Sequence, residues 1–197
     1  MYLEKYLSQL NNQGLETSVL DVSKQIDDNV KKFFTFKDNV TGLLFGNVQS
    51  GKTAQMLGAI ARFADEGYMI FLLLTSDNVD LQRQTFLRTQ SSLIDFNVLS
   101  ERDDLKFLQD GLRKPTVIVL KKNGRILKKW REILLSCQSC KGKFLMIFDD
   151  EGDNASLNTL VNKNRQSTIN KNLDAIKDSA SSCVYFEVTA TPQSLIL

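Results

Sequence analysis

Apolar residues recur at intervals of three and four through residues 1–39. Leu3, Tyr6, Leu7 and Leu10 form one set, and Val19, Val22, Ile26, Val30, Phe33 and Phe34 a second. That spacing is the one-sided stripe of an amphipathic helix, so two helices packed on a main body are predicted. From residue 40 the rhythm changes. Short apolar runs at 41–45, 69–74, 96–99, 116–120, 144–148 and 184–188 alternate with helical stretches. The helices are expected after Lys52, at about 79–89 and 103–109, around Ile126, Leu127, Trp130, Ile133 and Leu134, and at about 167–177. Strands this apolar have no face to give to water. Separated by crossover helices, they specify a mostly parallel sheet covered on both sides, which is a three-layer α/β domain. The chain thus divides into a helical extension, 1–39, packed on an α/β domain, 40–197.

Composition narrows the class. With 197 residues, 42% hydrophobic and 24% charged, the chain fits one globular core and no disordered or fibrous class. The apolar run at 69–74 falls well short of the roughly 18 residues a membrane span needs. The N-terminus lacks a basic start leading into an apolar stretch, so no signal peptide or membrane partner is expected and the location is expected to be cytoplasmic. A net charge of +2 does not mark the whole chain as a polyanion binder. Locally the balance differs, because ten basic residues between Arg113 and Lys143 face the single acid Glu132. Lys121 and Lys122 open the densest part, which suits a phosphate backbone or a solvated helix face with Trp130 turned inward. The chain has no histidine, so acid–base work falls to carboxylates, lysines or a metal. Cys137 and Cys140 have half the spacing of a zinc site but no second pair follows, and with Cys183 they are expected to be reduced structural thiols.

The chemistry concentrates in two segments. Gly46-Asn47-Val48-Gln49-Ser50-Gly51-Lys52-Thr53 follows a predicted strand and opens a predicted helix. The glycines let the backbone curl so that successive amides face phosphate oxygens at the positive end of the helix. Lys52 reaches the β- and γ-phosphates, and the Thr53 hydroxyl ligates Mg2+. This predicts a P-loop that binds a nucleoside triphosphate, expected to be ATP. The second segment, Asp149-Asp150-Glu151-Gly152-Asp153, ends a buried strand. Four crowded acids repel one another unless a cation joins them. Ligands of open α/β sheets lie beyond the carboxyl ends of the strands, where both segments meet. Asp150 is expected to hold Mg2+, with Asp149 as the alternative because strand register is uncertain by one residue. Glu151 is expected to position or deprotonate the attacking water, and Lys52 and Asp150 complete the catalytic set.

Gly46 to Thr53, Asp150-Glu151-Gly152-Asp153 and Thr189-Ala190-Thr191 resemble the first three core motifs of superfamily 2 helicases and translocases. Val48 to Thr53, Leu81-Gln82-Arg83-Gln84-Thr85, the Lys121-Lys122-Asn123 ending and the acidic box are most similar to the Z1-domain ATPases of restriction and phage-defence systems. The resemblance implies a RecA-like fold and a DNA-dependent ATPase. It also implies that Asp153, Thr189 and Thr191 couple nucleotide state to the nucleic-acid face, and that Arg83 and Arg88 lie in a DNA-contacting region. Gly152 departs from the alanine usual in that box. Such motors use a second RecA-like domain whose arginines complete the site, and here the sequence ends five residues after Pro192. The expectation is a first motor domain that binds ATP and hydrolyses it poorly without a second domain or partner subunit. A non-catalytic nucleotide-binding scaffold or adaptor is the alternative. A P-loop kinase would need an acceptor pocket, and a GTPase a guanine-reading segment that the sequence lacks.

Overall fold

The strand-length runs assemble into one sheet. The computed structural model describes residues 1–10, 14–35, 37–45, 51–110, 112–150 and 160–189. Two helices, α1 (Tyr2–Leu10) and α2 (Glu16–Phe33), precede β1 (Val40–Phe45), and α3 (Lys52–Asp65) leads to β2 (Ile70–Thr75). Next come α4 (Val79–Ser92), β3 (Asn97–Ser100), α5 (Asp104–Asp110), β4 (Thr116–Lys121) and α6 (Gly124–Ser136). The described chain closes with β5 (Phe144–Asp150), α7 (Leu160–Lys177) and β6 (Ser182–Thr189). The strand order is β1-β6-β5-β2-β4-β3, and every pairing among the described residues is parallel.

Alternation along the strands builds the three layers. Phe71 and Leu73 of β2, with Met146 and Phe148 of β5, share a cluster with apolar residues of α1, α2 and α3. Their neighbours Ile70, Leu72, Leu74, Leu145 and Ile147 point to the other side, against Phe107 of α5, Trp130 of α6 and Ile176 of α7. The helices divide between the faces because the chain reverses direction. It runs across the sheet from β1 to β2 to β3 with α3 and α4 on the first face, then returns through β4 and β5 to β6 with α5, α6 and α7 on the second. Right-handed crossovers require that change of face. Trp130 is fully buried edge-on to Phe107, with ring centroids 5.6 Å apart, so the basic helix α6 spends its aromatic residue on the core. Helix α7 begins seven residues ahead of the sequence expectation. Its first turns carry Asn162-Lys163-Asn164-Arg165-Gln166, a polar stretch with no apolar period to announce a helix.

The N-terminal pair is part of the first-face core. Tyr6, Val19, Ile26 and Val30 are buried with the α3 residues Met56, Ile60 and Phe63. Asp65, at the end of α3, accepts from the backbone N–H groups of Tyr2 and Leu3 at 2.6 and 3.1 Å, which caps α1 and places a negative charge at its positive end. Between α2 and α3 lies a buried ion pair, in which Asp27 accepts from Arg62 Nε at 2.8 Å and Nη2 at 2.6 Å, and from Lys31 Nζ at 3.0 Å.

Burial by itself would push the Asp27 carboxyl up, but the hydrogen bonds from Lys31 and Arg62 outweigh it and hold the group below its ordinary value. A depressed carboxyl stabilises the fold above its unfolded value, 3.8, and that contribution is lost as pH falls through the lower folded value. Asp27→Ala is expected to cost about 2 kcal/mol, less than a fully buried pair because Arg62 keeps some access to water. The variant should also lose stability less steeply below about pH 4 than the wild type. Urea melts of both proteins at pH 7 and at pH 3.5 measure this, and a constant difference between the two pH values would refute it.

Candidate functional site

Three of the helices that follow strands begin differently. The first turn of α4 is capped by Asn78, whose Oδ1 accepts from Asp80 N at 2.8 Å and Leu81 N at 3.1 Å. Helix α6 is capped by Asn123, which accepts from Arg125 N at 3.0 Å. Helix α3 starts instead from Gly51, held at φ 75° in the left-handed region, with no side chain to offer its first turn. The positive end of this 14-residue helix thus opens on a glycine, the kind of helix start that can take an anion. Lys52 and Thr53, both partly buried, are its first two residues. Gly46, Asn47, Val48, Gln49 and Ser50 lie outside the described residues.

The strand order brings the other candidates to this helix. β6 lies between β1 and β5, with Phe45 paired to Thr189 and Asp150 to Val188. The carboxyl ends of β1, β6 and β5 are therefore side by side, with the outer two about 10 Å apart at ordinary strand spacing. Asp150 follows the parity of Met146 and Phe148 and so turns to the first face, the one that carries α3. Asp149 follows Leu145 and Ile147 to the second face, away from α3. There it is 4% exposed, with Oδ2 in a hydrogen bond and Oδ1 in an ion pair. Tyr185 Oη donates to Oδ2 at 2.6 Å, and Lys122 Nζ lies 2.8 Å from Oδ1. Burial and the Asp149 charge push the Tyr185 phenol far up, so it remains a protonated donor. Of the two aspartates, Asp150 is the one on the face that carries α3 and Thr53. A carboxylate, a hydroxyl and helix N–H groups on one side of the sheet are the hard oxygen donors and anion donors that Mg2+ with a phosphate chain takes. Thr189 is buried at the end of β6. Glu151, Asp153 and Thr191 lie outside the described residues.

The nucleic-acid candidates are only partly gathered. Arg83 and Arg88 are both exposed on α4, but five residues apart they stand about 7.5 Å along the axis and roughly 140° around it. Arg83 sits near the carboxyl edge with Lys121 and Lys122, and Arg88 is carried away from it. The lysines are engaged within the chain, Lys121 with Glu101 at 3.5 Å and Lys122 with Asp149. Farther along the basic run, Lys129 pairs with Asp104 at 2.7 Å and Arg131 with Glu132 at 3.5 Å. Three of these lysines are thus answered by acids 20 or more positions away.

Two contacts were invisible in the sequence. Tyr185 is a strand residue with nothing in its apolar neighbourhood to mark it as the partner of Asp149. The start of α2 also touches α3, because a Cβ built on Gly51 would meet Leu15 Cδ2 at 3.4 Å and Gln55 Nε2 donates to Ser18 Oγ at 3.3 Å. Cys137, Cys140 and Cys183 are free and buried. Burial pushes the Cys183 thiol up to about 12 and raises that of Cys140 as well, so neither is a thiolate near neutral pH. Among the described residues no three or more acidic, cysteine or histidine side chains gather into a metal-binding group, and no helix is long and apolar enough to cross a membrane. No protein-family model and no curated protein matches the chain.

Proposed function

We propose that this chain is a RecA-like P-loop domain that binds ATP with Mg2+. It serves as the first motor domain of a DNA-dependent ATPase of the helicase and translocase kind, in a restriction or phage-defence system. The observation that carries the reading is the sheet order, which sets the carboxyl ends of β1, β5 and β6, the strands that lead into the phosphate-loop, acidic-box and Thr-Ala-Thr segments, next to one another and beside a helix that opens on Gly51.

On this reading the first-turn amides of α3 and the Lys52 ammonium bind the phosphate chain, while Thr53 and Asp150 hold the cation. Glu151 orients the attacking water and takes its proton. Bound Mg2+ would supply neutralisation of charge on the β- and γ-phosphates. Asp153, Thr189 and Thr191 would pass the nucleotide state to the DNA face. The arginines that answer the transition-state charge would come from a second RecA-like domain or partner subunit, and such a residue is worth about 1,000-fold or more in rate. ATP binding is thus expected of this domain alone, and efficient hydrolysis is not.

Calorimetric titration with ATP, in Mg2+ and in EDTA, tests the site. Asp150→Asn is expected to remove most of the gain in affinity that Mg2+ confers, about tenfold, with little effect in EDTA. An Mg2+ gain that survives the substitution would remove Asp150 from the cation site. The motor half is tested by the ATPase rate of the protein carrying this domain, with and without single-stranded and duplex DNA. Indifference to DNA would favour the scaffold reading.

A further inference from the structure

We infer that Lys122 and Tyr185 act through Asp149 as a register lock at the end of β5, which fixes Asp150 as the aspartate presented to α3 and so sets the cation affinity of the proposed site. The inference rests on the nucleotide-site reading above and adds positioning residues to it.

Asp149 and Asp150 are chemically identical and adjacent, and strand parity sends one to each face. A shift of one residue would exchange them, putting Asp149 beside α3 and Asp150 among Leu145, Ile147 and the second-face helices. At the end of a strand a shift of one residue disrupts the fewest ladder pairings. Apolar burial holds the register through Ile147 and Phe148, on opposite faces, but it stops there. Beyond that point both side chains are carboxylates, and hydrophobicity no longer distinguishes them.

The polar contacts to Asp149 supply the missing discrimination. One oxygen accepts from the Tyr185 hydroxyl on the neighbouring β6 and the other forms an ion pair with the Lys122 ammonium just past the end of β4, beyond β2, so the carboxylate is held from both sides of β5. Both grips are themselves held. Lys122 N donates to Thr75 O at 2.8 Å, and the next residue, Asn123, caps α6 while its Nδ2 donates to Asp77 at 3.2 and 3.3 Å. The Lys177 ammonium lies 4.0 Å from the centroid of the Tyr185 ring. Stability alone does not account for this arrangement. A leucine at 149 would continue the second-face pattern of Leu145 and Ile147, and apolar replacement of a buried ion pair is often neutral or stabilising. Choosing between two alternative placements is the use to which such a pair is well suited.

The test compares the Mg2+ gain, defined as the ratio of ATP affinities in Mg2+ and in EDTA, with the thermal midpoint. In Lys122→Met/Tyr185→Phe the Asp149 carboxylate loses both partners and is expected to compete for the first face. The Mg2+ gain should fall about tenfold, while affinity in EDTA stays near the wild-type value. Adding Asp149→Leu to that background should restore the gain, since leucine is pinned to the second face by burial. Lys122→Arg, which keeps the charge, should keep the gain. A purely structural cluster would move the midpoint and leave the gain within twofold, and that result overturns the lock. Recovery of the midpoint by Asp149→Leu without recovery of the gain overturns it equally. Should the double variant fail to fold, Lys122→Met alone is read in the same way, with a loss of threefold or more supporting the lock and no loss refuting it. Absence of any Mg2+ gain in the wild type would sink the site reading itself, and the lock with it.

Discussion

Lys52→Ala is expected to weaken ATP binding by about 100-fold, without loss of folded protein. The lysine is the first residue of α3, where its ammonium would join the first-turn amides against the triphosphate. A hydrogen bond to a charged group contributes about 1.5–3 kcal/mol, and 2.7 kcal/mol is the equivalent of 100-fold. The substitution itself is mild for the fold. Alanine is the best helix former, and the side chain is only half-buried. The thermal midpoint without nucleotide should therefore stay within a few degrees of wild type, while the upward shift produced by saturating MgATP should largely vanish. Unchanged affinity in a folded variant would mean that the triphosphate, if bound at all, is not bound at α3. Equal binding of ATP and of adenosine by the wild type would point the same way, because it would show that the phosphates contribute nothing.

The same lysine illustrates what a sequence discloses and what it withholds. Short apolar runs announced each of the six strands, and their freedom from polar positions announced two covered faces, because burial leaves its trace in the sequence. The placement of Lys52 and Thr53 at the head of a helix was legible for that reason. The choice between Asp149 and Asp150 was not. It depends on the face each aspartate takes at the end of β5, between β2 and β6, and on a tyrosine 36 residues away. Charge was misleading in a similar manner. The run from Lys121 to Arg131 looks unopposed in one dimension, yet Lys121 finds Glu101, Lys122 finds Asp149 and Lys129 finds Asp104 across the fold. Local counting cannot anticipate neutralisation by residues 20 or more positions away. The N-terminal helices were visible as stripes, but a stripe names the face that is buried and not the surface it meets.

That surface makes Gly58→Val the substitution expected to destabilise the fold most. Gly58 lies inside α3, where glycine costs about 1 kcal/mol relative to alanine, so helix propensity alone favours replacing it. The close crossing of α2 opposes this, because a Cβ built on Gly58 would stand 2.3 Å from Val19 Cγ1, well inside contact distance, with Tyr6 Cε1 at 3.6 Å. Val19 cannot yield by rotation. It is 1% exposed, and a β-branched residue in a helix has essentially one side-chain rotamer. Relief has to come from α2 moving off α3, which would open the cluster of Val19, Ile26, Val30, Ile60 and Phe63. The expected cost is about 3 kcal/mol, or roughly 6–12 °C in the midpoint for a chain of this size. Gly58→Ala should cost less, and Val19→Ala should recover part of that loss by giving the added methyl the space it needs. The double-mutant cycle therefore has a required sign, with the two alanine substitutions together less harmful than the sum of each alone. Additive effects would show that α2 does not cross α3 at Gly58. Because the first residue before α2, Leu15, packs beside Gly51, the displaced helix should also loosen the start of α3. ATP affinity in Gly58→Val is then expected to fall even where the protein remains folded, while in Gly58→Ala/Val19→Ala it should return toward wild type.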